Sequence, residues 1–149
     1  MALNADLVGR TYPASPVYQV GREKVREFAR AIGESSPLCS DIDAARAAGY
    51  SDVVAPPTFA IVISMEAGRQ AAFDPDLGLD YTRVVHGEQT FEYARPIVAG
   101  DELVCTASIH AIREAAGNDI LTTRADITTI SGEHVCTTYS VLVARGAES

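Results

Sequence analysis

Apolar positions along the chain change their period near its middle. From Arg22 to Ile32, the residues Val25, Phe28, Ala29 and Ile32 recur at helical spacing, and Gly33 stands where a left-handed residue would end the helix. Ser40-Asp41 offers a cap for a second, short helix that runs through Ala48 and stops before Gly49. A third helix is expected from Pro57, because proline is well tolerated in a first turn. Its character differs: Phe59-Ala-Ile-Val-Ile-Ser-Met65 is apolar nearly all round, the pattern of a helix covered on several sides. Beyond residue 100 the period falls to two. Leu103, Cys105, Ala107, Ile109 and Ala111 form one small apolar face, and Leu121, Thr123, Ala125 and Ile127 alternate with Arg124 and Asp126, so each strand has one buried side. Ala99-Gly100-Asp101, Ala116-Gly117-Asn118-Asp119 and Ser131-Gly132 punctuate these runs, the last as a hairpin turn.

Composition sharpens the division. All seven prolines fall at or before Pro96, and the segment after residue 100 is rich in the β-branched types Val, Ile and Thr that suit a pleated, packed surface. A buried helix followed by long antiparallel strands needs a sheet that curves around it, since a flat sheet would cover only one side. The expected class is α+β, in a single hot-dog domain spanning residues 1–149. A curved antiparallel sheet of about five strands wraps around a long central helix, with short helices on the N-terminal side.

Charge and cysteine usage narrow the function classes. Twelve Lys+Arg against 20 Asp+Glu give a net charge of −8, and no Lys/Arg cluster longer than two appears, so nucleic acid is not an expected partner. The apolar run from Phe59 to Ile63 is far short of the roughly 20 residues of a membrane span. The first residues lack the basic and apolar regions of a secretory signal, which points to a cytoplasmic protein. Cys39, Cys105 and Cys136 are odd in number and widely spaced, and His86, His110 and His134 are equally dispersed. Neither a disulfide framework nor a metal site is expected, and no cofactor is implied.

Two stretches carry a family resemblance. Val25-Arg-Glu-Phe-Ala-Arg-Ala-Ile-Gly33-Glu-Ser-Ser-Pro37 resembles the hydratase motif of MaoC-like hot-dog proteins. Val85-His-Gly-Glu-Gln-Thr-Phe-Glu-Tyr-Ala-Arg-Pro96, with Ala99-Gly-Asp-Glu-Leu103 after it, is similar to the dehydratase domain first recognised in type I fatty acid synthases. The likeness runs from about Val8 to Arg145. It is greatest to small actinobacterial proteins that include the partner subunits of heterodimeric (3R)-hydroxyacyl-ACP dehydratases.

The resemblance implies chemistry on a 2-enoyl or 3-hydroxyacyl thioester, carried by coenzyme A or acyl carrier protein. In such enzymes an Asp and a His within D-x-N-P-x-H move the proton and position the water, and a backbone N–H at the start of the central helix polarises the thioester carbonyl. Here the Asp position is Glu34, the His position is Cys39, and the His-Gly of the helix entrance is Pro56-Pro57. The imidazole is missing, and Pro57 has no N–H to donate.

The expected function is therefore a non-catalytic partner subunit that accommodates the acyl chain and works with a catalytic MaoC-type subunit. Phe59, Val62, Ile63 and Met65 are candidate chain-lining residues, although a central helix needs the same types for its own core. His86 and Gln89 are candidate polar contacts to an amide or thioester oxygen, with Gly87 marking a bulge or a close backbone approach. Two alternatives are a self-sufficient homodimeric hydratase with a relocated base and a hot-dog thioesterase using Glu66. A dimer of either kind is expected, because family members cover sheet edges by pairing them.

Overall fold

A computed structural model describes residues 2–146. Three helices precede or flank one sheet: α1 (Arg22–Ile32), α2 (Ile42–Ala47) and α3 (Ile61–Ala72). The strands are β1 (Tyr18–Gln19), β2 (Val84–Tyr93), β3 (Glu102–Ala115), β4 (Asn118–Thr129) and β5 (His134–Ala144). They form one antiparallel sheet in the order β1-β3-β4-β5-β2. The long strands curl around α3, the half-barrel of a hot-dog fold.

The helices obey their terminal signals. α1 spans the expected residues and ends at Gly33, whose φ of 73° is left-handed. Val25 and Ala29 are buried, but Ile32 is 51% exposed, because the last turn of α1 runs past the rim of the core. Asp41 caps α2 by accepting from the Asp43 and Ala44 amides.

α3 starts four residues later than the proline signal suggests. Residues 57–60 make tight turns instead, with Phe59 N–H bonded to the Pro56 carbonyl at 2.9 Å and Ile61 N–H to the Thr58 carbonyl at 3.1 Å. The physical cause is the pair of prolines: Pro57 disfavours a helical conformation at Pro56, and neither residue supplies an N–H. Nor is α3 covered on all sides. Ile63, Ala67 and Ala71 are buried, whereas Met65, Glu66 and Arg69 form an exposed stripe.

Core packing follows the alternation of the strands. Leu103, Cys105, Ala107 and Ile109 of β3 and Leu121, Thr123, Ala125 and Ile127 of β4 are buried. Ala111 leaves this face because the register shifts between Ile109 and Ala111, placing His110 in a bulge, and Ile112 packs towards the core in its stead. Phe59, with no exposed surface, sits at the centre of the main cluster, edge-on to Phe28 at 5.4 Å between ring centroids.

The two edges of the sheet have different fates. The N-terminal segment runs along β3 beyond the short β1: Gly9 N–H bonds to the Ile109 carbonyl at 2.8 Å, Tyr12 N–H to Ala107 at 2.9 Å and Ser15 N–H to Cys105 at 2.9 Å. This cover is pinned to the loop after α3. Tyr12 donates its hydroxyl to Asp74 at 2.7 Å, and Arg10 bridges Asp74 and Asp76 at 2.9 Å each. Leu3 and Leu7 meanwhile join Leu77 in a second apolar cluster. β2, at the other end, pairs only with β5 among the described residues.

Two measurements test these contacts. Phe59→Ala should cost about 3–5 kcal/mol in urea unfolding, the usual loss for truncating a buried aromatic. The hydrogen bonds from Tyr12 and from the Asp76 amide, with the Arg10 guanidinium, hold the Asp74 carboxyl below the ordinary carboxylate range. A carboxyl with a depressed folded-state pKa stabilises the fold above its unfolded pKa of about 3.9, and the gain is lost as pH falls further. Asp74→Asn should therefore lower Tm at pH 7, and its difference from the unaltered protein should shrink steadily as thermal unfolding is repeated below about pH 4.

Candidate functional site

A cavity of about 540 Å³ opens between α3 and the concave face of β4, β5 and β2. Its helix wall is Ile61, Ser64, Met65, Gly68, Arg69 and Ala72, residues that recur every three or four positions. Thr58 stands at the helix entrance, and Arg69 and Tyr81, both against the Phe73 ring, also line the cavity. The sheet wall combines Leu142, Phe91 and Ala125 with Gln89, His86, Thr123, Thr138 and Ser140. Most of the lining is apolar, with a few polar groups converging from several strands, as in many small-molecule sites.

The polar corner depends on one bulge in β2. Successive strand residues point to opposite faces, so residues three apart, such as His86 and Gln89, would normally be divided between them. The β2–β5 register slips between His86 and Glu88: His86 pairs with Leu142, yet Glu88 pairs with Val141 and Gln89 with Ser140. The extra residue is Gly87, and both His86 and Gln89 are thereby turned into the cavity. Space also favours glycine here, because a Cβ at this position would lie 3.3 Å from Val143 Cγ2 and 3.4 Å from the Val141 carbonyl oxygen. His86 Nε2 then donates to Gln89 Oε1 at 3.2 Å. That bond commits the amide oxygen and leaves Gln89 Nε2 buried, with no partner among the described residues.

Glu34 and Cys39, the positions that the resemblance would assign to acid and base, lie elsewhere. Glu34 is exposed, and its carboxylate accepts the Ser36 amide at 2.9 Å in a local turn. Cys39 is only 5% exposed, and burial, helped by the Glu34 charge, pushes its thiol above the ordinary range. Neither residue lines the cavity. At the helix entrance the Pro57 carbonyl accepts a hydrogen bond from the Tyr93 hydroxyl. Burial holds the Tyr93 phenol well above its usual pKa, so it remains a donor.

Of the apolar candidates, Phe59 and Ile63 are buried in the main core, and Val62 packs against it half-buried. None of the three faces the cavity: Phe59 enters the core from the turns before α3, and helical periodicity sets 63 and 67 on the core side and 61, 65, 68 and 72 on the other. Met65, also expected in the lining, does face the cavity; Ile61 and Gly68 are the helix residues that sequence reasoning missed, and the offset within the same apolar run was the available signal. Glu66 is exposed outside the cavity.

Comparison with known proteins identifies the scaffold. The family described as FAS1-like, dehydratase domain region matches residues 6–138. The chain belongs to this family of MaoC-like dehydratases. A UPF0336 protein of Saccharopolyspora erythraea is 58% identical over 146 residues, covering 98% of this chain and 94% of the relative. A second, from Streptomyces coelicolor, is 55% identical over 148 residues, 99% of each chain. Among solved structures, a MaoC-like dehydratase superposes with a TM-score of 0.88 at 40% identity over 95% of this chain, which spans 43% of that longer protein. The HadBC (3R)-hydroxyacyl-ACP dehydratase complex of Mycobacterium tuberculosis gives 0.79 at 34% identity, covering 89% of this chain and 92% of the matched one. Within this dehydratase family the chain keeps the hot-dog frame. No helix among the described residues is long and apolar enough to cross a membrane.

All three cysteines are buried and free, and burial pushes the Cys105 and Cys136 thiols up to about 12 and about 11. Thiolates are the reactive form, so native protein at pH 8 should resist iodoacetamide and react at all three sites once unfolded in urea. Rapid alkylation of Cys39 in the folded chain, read by mass spectrometry, would instead mark it as an activated thiol.

Proposed function

We propose that this protein is the non-catalytic, acyl-chain-accommodating partner subunit of a (3R)-hydroxyacyl thioester dehydratase or 2-enoyl hydratase. The carrying observation is the separation of the cavity from the dyad positions: the cavity is present, while Glu34 is spent on a turn and Cys39 is a buried, protonated thiol. A general base contributes about 10² to 10⁴ in rate and an oxyanion donor a similar factor, so a site lacking both falls far below an ordinary hydratase. Acyl thioester, on coenzyme A or acyl carrier protein, is the ligand of this reading. His86 and Gln89 are its polar contacts, and the apolar lining is supplied by Ile61, Met65 and Phe91 in place of Phe59, Val62 and Ile63.

Dimerisation through β2 is the natural assembly, since an unpaired strand of this length is an aggregation hazard and the β3 edge is already covered. The chemistry of that edge favours an unlike partner. β2 exposes Glu88 and Glu92 on a chain of net charge −8, so a second copy adds two more carboxylates to the same short seam. A catalytic subunit with a less acidic edge avoids that repulsion. The HadBC relative is itself a complex of two different chains, which is consistent with this arrangement.

The experiment is hydration of a medium-chain 2-enoyl thioester, with sedimentation of the same samples. The isolated chain should turn over at a rate lower by about 10² or more than a catalytic MaoC-type enzyme. Adding a catalytic subunit should convert both species to a heterodimer and extend activity to longer acyl chains. Family-level turnover by the isolated chain, abolished by His86→Ala, would overturn the reading and place the base at His86.

A further inference from the structure

A second, smaller pocket of about 380 Å³ lies at the start of β2, against the last residues of β5. Thr82, Arg83, Val84 and Val85 line one side of it, and Arg145 and Gly146 line the other. The Arg145 amide bonds to the Arg83 carbonyl at 3.1 Å, which sets the two arginines side by side where the β2–β5 ladder ends. Val84 lines this pocket and the main cavity alike, so the two spaces adjoin. Tyr81, which shares the Phe73 ring with Arg69, opens the 3₁₀ turn Tyr81–Arg83 that leads into this junction.

The pairing of two cations here is notable because the chain has acid to spare. Its net charge is −8, and ion pairs among the described residues take up Arg10, Arg22, Lys24, Arg26, Arg95 and Arg124. Arg83 and Arg145 join no ion pair among the described residues. Asp80 is close to Arg83, yet its carboxyl is held below the ordinary range chiefly by the Thr82 hydroxyl and amide, at 2.6 and 3.0 Å. The Arg83 guanidinium bonds instead to the Gly146 carbonyl, which fixes it at the pocket wall and leaves further N–H donors. Charge of one sign lining a cleft attracts an anion of the other.

Spacing identifies that anion. Arg83 precedes His86 by three residues and Gln89 by six, one of which is the extra residue of the bulge. At about 3.3 Å per strand residue the arginines lie between roughly 10 and 17 Å from the His86–Gln89 corner. In an acyl thioester of coenzyme A or acyl carrier protein, a pantetheine arm joins the sulfur to a phosphate ester. Its thirteen bonds extend over about 15 Å, at about 3.4 Å for every three bonds of an extended chain.

We infer that Arg83 and Arg145 hold the phosphate of the pantetheine arm. The acyl thioester then lies with its carrier at the start of β2, and its acyl chain runs from the His86–Gln89 corner towards Phe91 and Ile61. This rests on the acyl-thioester reading above and adds to it a second contact point and a direction. The same phosphate ester occurs in coenzyme A and in a carrier protein, and guanidinium groups bind it through charge-assisted, paired hydrogen bonds.

The test is calorimetric titration of the full chain with two ligands that differ by one group, S-decanoyl phosphopantetheine and S-decanoyl pantetheine. The phosphorylated ligand should bind about tenfold or more tightly at low salt, and its advantage should shrink as salt is raised towards about 1 M. Arg145→Gln should remove most of the advantage, so that the variant binds the two ligands nearly alike. Arg30→Gln, which removes an equal charge from α1, should keep it. Equal affinity of the unaltered protein for the two ligands, or an advantage weakened as much by Arg30→Gln as by Arg145→Gln, overturns this inference and leaves the acyl-chain reading standing. Failure of both ligands to bind overturns both. Competition against the bound phosphorylated ligand identifies the source: displacement by coenzyme A assigns the phosphate to the coenzyme, displacement by a holo carrier protein assigns it to that protein, and displacement by neither sinks the proposal.

Discussion

Phe59 anchors α3 against the concave sheet, and most of the architecture answers to that contact. Its ring is fully buried among residues from α1, β3, β4 and β5, and it enters the core from the tight turns that follow Pro56-Pro57 rather than from regular helix. The segment leading to those turns is itself tethered. Ala55 N–H bonds to the Ile97 carbonyl at 2.8 Å and Ala99 N–H to Val53 at 3.0 Å. The loop carrying Ile97 and Ala99 is closed by Arg95 gripping Asp101 at 2.9 and 3.0 Å. One face of α3 is thereby committed to the core, and only the face bearing Ile61, Met65 and Gly68 is left to line a cavity.

That division explains what the sequence could and could not disclose. α1 and α2 were legible because capping is local: Gly33 and Asp41 act within a turn of where they stand. The strands were legible because burial alternates wherever one face meets a core, and the exception at Ala111 arose from a bulge that no residue type announces. The lining of α3 was legible only at Met65, since Phe59 and Ile61 are both apolar and only the azimuth of the helix in the finished fold separates core from cavity. Nor could the pairing of Thr123 with Ser140 be read, because it depends on the register of β4 against β5.

The His86-Gly87-Glu88-Gln89 segment is the instructive intermediate case. Glycine inside an otherwise β-rich run is a local signal for a bulge, and the bulge is where the sequence suggested it. Its consequence is not local. By slipping the register one residue, Gly87 turns two polar side chains of the same strand inward, and their mutual bond aims one amide donor into the cavity. The motif is therefore structural and chemical at once, since the backbone irregularity creates the polar corner.

The two ends of the molecule complement each other in the same way. Residues 9–15 cover the β3 edge through backbone bonds to Cys105, Ala107 and Ile109, and the Tyr12–Asp74–Arg10 cluster ties that cover to the loop that follows α3. The open edge is β2, the strand that also supplies His86, Gln89 and Phe91 to the cavity. Whatever pairs with β2 abuts the backbone of the residues that line the ligand space. Pairing from the free side would hold the same strand whose irregular register at Gly87 orients His86 and Gln89. The free edge of the sheet and the polar corner of the cavity thus belong to a single ten-residue strand.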